Sequence, residues 1–151
     1  MDVKAAIFHY CNYQERSHRE VRNKLYELGC KPYEVEQYLS ELIEAELLNE
    51  QRYAQAFARG KFRLKGWGRN KIVAHLKKQS VSEYCIKKGL QEIDEQEYLD
   101  TLERLIDRKL SELRSERNHF RKRTKLYAYL LQKGYENYII TEVYQKLIAG
   151  E

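Results

Sequence analysis

The chain's one tryptophan, Trp67, stands between Gly66 and Gly68 and is flanked by Lys65 and Arg69. An aromatic ring among cations can stack on an exposed base or fill a pocket on a protein partner. It can also fold back over its own helix pair, and both readings stay open at this point. The cations around it supply a second kind of chemistry, the neutralisation of an anionic partner. The candidate contact residues of this stretch are Arg52, Arg59, Lys61, Arg63, Lys65, Trp67, Arg69, Lys71, Lys77 and Lys78. A second set, Arg121, Lys122, Arg123 and Lys125, lies in residues 113–125, which hold six basic residues and one acid. Phosphate and an acidic protein groove would be met alike by such a set.

The overall net charge of +5 conceals a steep asymmetry. Residues 51–90 carry eleven Lys and Arg against the single acid Glu83, whereas residues 1–50 carry six against ten acids. The remaining residues, 91–151, are close to balance with eleven against twelve. A solvated face kept soluble by charge is the plain alternative to a functional contact.

Catalytic chemistry is not legible. The chain has no P-loop, GxGxxG, HExxH or GxSxG motif and no nucleophile–base constellation. His9, His18, His75 and His119 are scattered and share no ligand spacing. Cys11, Cys30 and Cys85 are odd in number and form no CxxC pair, which fits reduced structural thiols better than disulfides or zinc ligation. The expectation is a binding protein, not an enzyme, with no cofactor and no metal. No run of about 18 apolar residues exists, and the N-terminus lacks a signal-peptide pattern, so a cytoplasmic, soluble protein is expected; a monomer is expected as well.

The elements that must position these residues come from an internal repeat. Val21, Leu25, Gly29, Val35, Leu39 and Leu42 set the first copy. A shift of 51 brings in Ile72, Leu76, Val81 (against Cys30), Ile86, Leu90 and Ile93, and a shift of 105 from the first copy brings in Leu126, Leu130, Gly134, Tyr135, Ile140, Tyr144 and Leu147. Spacings of three and four residues, split by a short break, predict a short helix, a tight turn at Gly29, Ser80 or Gly134, and a second helix. Ser80 meets the left-handed turn at a cost that Gly avoids. Ser17 with Glu20 has capping-box spacing, Pro32 suits a first helical turn, and Asn49 and Asp94 are candidate N-caps.

A further amphipathic stretch precedes each pair: Ala5 to Tyr13, Tyr53 to Leu64, and Tyr98 to about His119. In the last, Lys109 is the one polar residue on the stripe of Leu99, Leu102, Leu105, Ile106 and Leu110, and the helix is expected to run into the charged segment that starts at Leu113. Most of the thirteen tyrosines, among them Tyr53, Tyr98, Tyr135 and Tyr144, are expected to pack on the core. The fold class is all-α: a tandem, elongated and curved array of three three-helix repeat units, over residues 1–48, 49–93 and 94–151. Units of this size are marginal alone and pack on their neighbours.

The run Leu42-Ile-Glu-Ala-Glu-Leu47-Leu48-Asn-Glu-Gln-Arg52-Tyr53-Ala54-Gln-Ala-Phe57-Ala-Arg59 continues through Lys65-Gly66-Trp67-Gly68 to Ile72 and Leu76. It resembles the bacterial RecX family of regulatory proteins, as do Ser17 to Leu25, Gly29, Pro32, Glu34 and Val35 upstream. Two departures are Gln79-Ser80-Val81, where the family commonly has Lys-Gly-hydrophobic, and Lys31, where an acidic cap is usual. The resemblance implies tandem three-helix units that bind the RecA recombinase filament on single-stranded DNA and restrain its ATP hydrolysis and strand exchange, modulating DNA repair and recombination. The basic middle unit would then face acidic filament surface or the DNA within it. Two other functions compete: a helical nucleic-acid-binding module that uses the middle unit directly on DNA, and a generic helical adaptor.

Overall fold

The computed structural model describes residues 2–150. Among them it contains nine helices and no strand: α1 Val3–Tyr13, α2 His18–Glu27, α3 Pro32–Glu44, α4 Glu50–Lys65, α5 Arg69–Lys78, α6 Glu83–Leu90, α7 Glu95–Glu112, α8 His119–Lys133 and α9 Asn137–Ala149. The chain is all-α, as its composition and periodicity predict.

The helix starts are written in short polar side chains. The Ser17 hydroxyl accepts the Glu20 N–H at 3.0 Å while the Glu20 carboxylate accepts the Ser17 N–H at 2.9 Å, a complete capping box for α2. Asn49 accepts from the Arg52 N–H at 2.9 Å and Asp94 from the Glu97 N–H at 3.0 Å. Pro32 opens α3, and Glu34 accepts the Lys31 N–H at 2.9 Å, so a lysine in the cap position leaves that N–H satisfied. Each such cap contributes about 1 kcal/mol.

All three predicted turns adopt left-handed backbone: Gly29 at φ 91°, Ser80 at φ 61° and Gly134 at φ 103°. Ser80 therefore takes a conformation that costs a side-chain-bearing residue about 1–2 kcal/mol.

Contact density divides the chain into two compact units: residues up to Ala58 with His75–Glu92, and Arg59–Ala74 with Ile93 onward. The three-way division by sequence follows the repeat, and the middle repeat contributes to both compact units. In the first unit Ile7, Val21, Leu25, Val35, Leu39 and Leu42 are buried in one cluster. There α4 and α6 approach closely enough that a Cβ on Gly89 would lie 2.7 Å from the Ala54 carbonyl oxygen. In the second unit Phe62, Tyr98, Leu102, Ile106, Leu126, Leu130, Tyr135 and Ile140 are buried. Burial of such side chains is worth about 1.5–3 kcal/mol each before chain entropy is counted.

Two expectations are corrected. The first helix of the third repeat does not run to His119: α7 ends at Glu112, and α8 begins at His119 after a break. The break is set by Asn118, whose side chain accepts the Arg121 N–H at 3.1 Å and starts a new helix. In α9 the buried positions are Ile139, Ile140 and Val143, while Tyr144 and Leu147 stay partly exposed. The Tyr144 ring instead meets Tyr127 edge-on at 6.1 Å. Lys109, the polar member of its stripe, lays its ammonium 4.8 Å from the Tyr129 ring centre and pairs with Glu112 at 3.3 Å, so its stem covers apolar surface while its charge stays satisfied.

Candidate functional site

Trp67 and its cations are held by the second compact unit. Gly66 ends α4 in a left-handed conformation at φ 68°, and the Trp67 N–H reaches back to the Lys61 carbonyl at 3.1 Å. One residue on, Gly68 lies against the α8–α9 turn. A Cβ on Gly68 would sit 2.4–2.5 Å from the Gly134 carbonyl and the Tyr135 nitrogen, so only glycine fits. The close approach lets the Gly68 N–H donate to the Lys133 carbonyl at 2.8 Å and the Asn70 N–H to the Gly134 carbonyl at 2.9 Å. Donors at the start of α5 thus meet acceptors at the end of α8, satisfying groups that helix termini otherwise leave to water.

Tyr98 and Tyr135 complete the anchorage. The Tyr98 hydroxyl accepts the Arg69 N–H at 2.9 Å and donates to Glu136, while the Tyr135 hydroxyl donates to the Gly66 carbonyl at 2.9 Å. The two rings lie 5.0 Å apart. Burial, with the Glu136 hydrogen bond next, pushes the Tyr98 hydroxyl well above the usual tyrosine range, and burial does the same to Tyr135. Arg69 bridges Glu136 at 2.9 Å and Glu95, and its guanidinium lies 3.9 Å from the Tyr98 ring centre. Burial alone would weaken its charge, but Glu136, Tyr98 and Glu95 together hold it above the ordinary arginine value. Arg69 is thus engaged inside the unit as a strut.

The Trp67 ring is partly buried, with the Lys61 ammonium 5.0 Å and the Lys71 ammonium 4.5 Å from its centre. It neither sinks into the core nor stands bare: two lysine stems hold it at the surface with their charges beside it. Arg63 and Lys65 are exposed at the end of α4, and Arg59 lies partly covered on the same helix.

The other predicted residues are distributed. In the first unit Arg52 donates to Glu15 at 2.6 Å and to the Glu46 carbonyl at 2.8 Å, so it ties the α3–α4 corner to the segment before α2. Lys77 and Lys78 are exposed at the end of α5, where the Lys78 carbonyl accepts from Arg19 at 2.6 Å. In the second unit Arg121, Lys122 and Arg123 occupy the start of α8, where cations oppose the helix dipole. Lys125, by contrast, pairs with Glu116 at 3.1 Å, and that hydrogen bond, ahead of the neighbouring charges, holds the Glu116 carboxyl below its usual range.

Sequence reasoning did not single out Glu136 or Lys133 as partners of this loop. They are distant in the chain, and no local spacing links them to it. Among the described residues no cluster of His, Cys, Asp or Glu is arranged to hold a metal, and no helix is long and apolar enough to cross a membrane. Cys11, Cys30 and Cys85 are free thiols, and burial raises Cys11 to about 11.

Residues 49–90 match the family model described as RecX, second three-helix domain, and residues 95–144 match RecX, third three-helix domain. A protein of Clostridium perfringens (strain 13 / Type A) named Regulatory protein RecX is 31% identical over 137 residues, 90% of this chain and 64% of that protein. One of the same name from Prosthecochloris aestuarii is 27% identical over 141 residues, 93% of this chain and 90% of that protein. This chain therefore spans a little under two thirds of the clostridial relative's length. The crystal structure of RecX from Lactobacillus salivarius superposes with a TM-score of 0.86 at 23% identity, covering 97% of this chain and 95% of that one, a likeness of fold.

Proposed function

We propose, from the premise that this chain belongs to the RecX family, that it binds the RecA recombinase filament on single-stranded DNA and restrains ATP hydrolysis and strand exchange there. The observation that carries the reading is the Trp67 loop. A half-covered aromatic ring with Lys61 and Lys71 beside it is presented on a backbone that Gly68, Gly134 and the Arg69–Glu136 pair hold in place. An anchor residue prepared in this way loses little conformational entropy on binding. Lys61, Arg63, Lys65 and Lys71 give the same loop the charge to meet acidic filament surface or the enclosed strand.

The protein acts by binding. Preference for one state of the filament over another shifts the filament's population toward that state, and no chemistry on its own part is needed. The single tryptophan supplies the test. Trp67 emission is followed while preformed filament, or the same single-stranded DNA alone, is added. The proposal expects a saturable change with filament that exceeds any change with bare DNA at matched salt. A larger, steeply salt-dependent change with bare DNA would assign the loop to direct nucleic-acid binding instead.

A further inference from the structure

Beside the Trp67 loop, and within the second unit alone, lies an open cleft of about 670 Å³ between the end of α4, the middle of α7 and the end of α8. Its cations are Arg63 and Lys65 from α4, Arg104 and Arg108 from α7, and Lys133 from α8. Arg104 and Arg108 are four residues apart and so lie on one face of α7. Against these five stand two carboxylates, Glu97 and Asp100, and Asp100 already accepts the Gln96 amide at 2.9 Å. None of Arg63, Lys65, Arg104 and Arg108 has an ion-pair partner among the described residues.

Lys133 is the fixed member of the group. Its ammonium donates to the Lys65 carbonyl at 2.9 Å, which caps the end of α4 and holds the charge at the wall of the cleft. Burial first, and then the charges of Lys71, Arg108 and Lys65, pull its pKa below the ordinary lysine value. The fold thus holds cations together at a cost that a bound anion would remove.

We infer that this cleft is a phosphate-binding site, with the Arg104 and Arg108 guanidinium groups and the Lys133 ammonium as its anion ligands. Phosphate is favoured over a carboxylate because two arginine forks beside a fixed ammonium supply more N–H donors than one carboxylate can use, whereas a tetrahedral phosphate offers oxygens in several directions. The phosphate comes from a nucleic-acid backbone or from a free phosphorylated molecule. The inference does not rest on filament binding: its anion ligands, Arg104, Arg108 and Lys133, are not among the residues proposed to meet the filament, and it is tested on the isolated protein.

The test uses the full chain with inorganic phosphate, a short oligothymidylate and an oligoglutamate peptide as probes. Lys133 is followed through its ε-methylene resonance as pH is raised, and affinities are compared with the R104Q/R108Q variant, in which both changed residues are exposed. A phosphate probe should raise the Lys133 pKa, and the double variant should lose about tenfold or more in affinity with its circular dichroism unchanged. A response to the oligothymidylate alone would make the source a polynucleotide. A response to inorganic phosphate as well would make it any accessible phosphate group. The inference is overturned if Lys133 responds to neither phosphate probe, if R104Q/R108Q binds as tightly as the parent, or if oligoglutamate competes equally.

Discussion

Gly68 and Gly134 meet backbone to backbone: a Cβ on Gly68 would lie 2.4 Å from the Gly134 carbonyl carbon, and a Cβ on Gly134 would lie 2.4 Å from the Lys71 Cβ. Gly134 needs glycine twice over, for its φ of 103° and for this approach. Gly68 needs it for the approach alone. The contact sets where Trp67 and Lys71 stand, so the shape of the candidate site depends on two residues that contribute no side chain to it.

Gly68→Ala should therefore destabilise the protein by about 3 kcal/mol, because the obstacle is backbone that cannot swing aside. Gly60→Ala, within α4 and with nothing inside 4 Å of its added Cβ, should instead stabilise by about 0.5–1 kcal/mol. Chemical denaturation of the two variants checks this. Equal midpoints would remove the close approach as a feature of the fold.

Ser80→Gly should stabilise the protein by about 1 kcal/mol. Ser80 holds φ 61°, which glycine adopts freely, and its Cβ is the source of the strain. A lower denaturation midpoint in the glycine variant would contradict this account of the turn.

How much of this was legible in the sequence depends on how local each cause is. The Ser17–Glu20 capping box, the Asn49 and Asp94 caps and the left-handed turns are decided within a few residues, and they stand where spacing predicts. The same holds for Val21, Leu25, Ile72, Leu76, Leu126 and Leu130, all fully buried. Asn118 is a local signal too, but the apolar period of α7 outruns it and predicts a helix that continues past it. The Gly68–Gly134 contact and the bonds from Arg69 to Glu136 join residues that only the tertiary fold brings together. In sequence Arg69 is one more cation in a basic run, and nothing local distinguishes it from Lys77 or Lys78.

That distinction is testable. Arg69→Met should cost about 2–3 kcal/mol, since it leaves the mostly buried Glu136 carboxylate without its cation. Adding Glu136→Gln should recover part of the loss. Lys77→Glu with Lys78→Glu, both at exposed positions, should move the midpoint by no more than about 0.5 kcal/mol. Thermal melts of the four proteins decide it, and an Arg69→Met variant as stable as the parent would remove Arg69 as a strut.

Tyr53, Tyr98 and Tyr135 have the hydroxyls that burial raises furthest above the usual value of 10.0. Their folded state keeps the proton that the unfolded chain releases. The stability they confer is therefore complete below pH 10 and declines as pH rises above it, by about 1.4 kcal/mol per pH unit for each group. Spectrophotometric titration should show these three resisting ionisation until the protein unfolds. Ionisation of all thirteen in a single step near pH 10, with the fold intact, would contradict the burial described here.

The most direct test of the central claim is the ATPase rate of the cognate RecA on single-stranded DNA, with this protein titrated in below stoichiometric amounts. The account predicts that the rate falls, and that reversing Lys61 and Lys71 beside Trp67 weakens the effect while leaving circular dichroism unchanged. An unaltered ATPase rate, together with salt-sensitive binding of the protein to bare DNA, would contradict it.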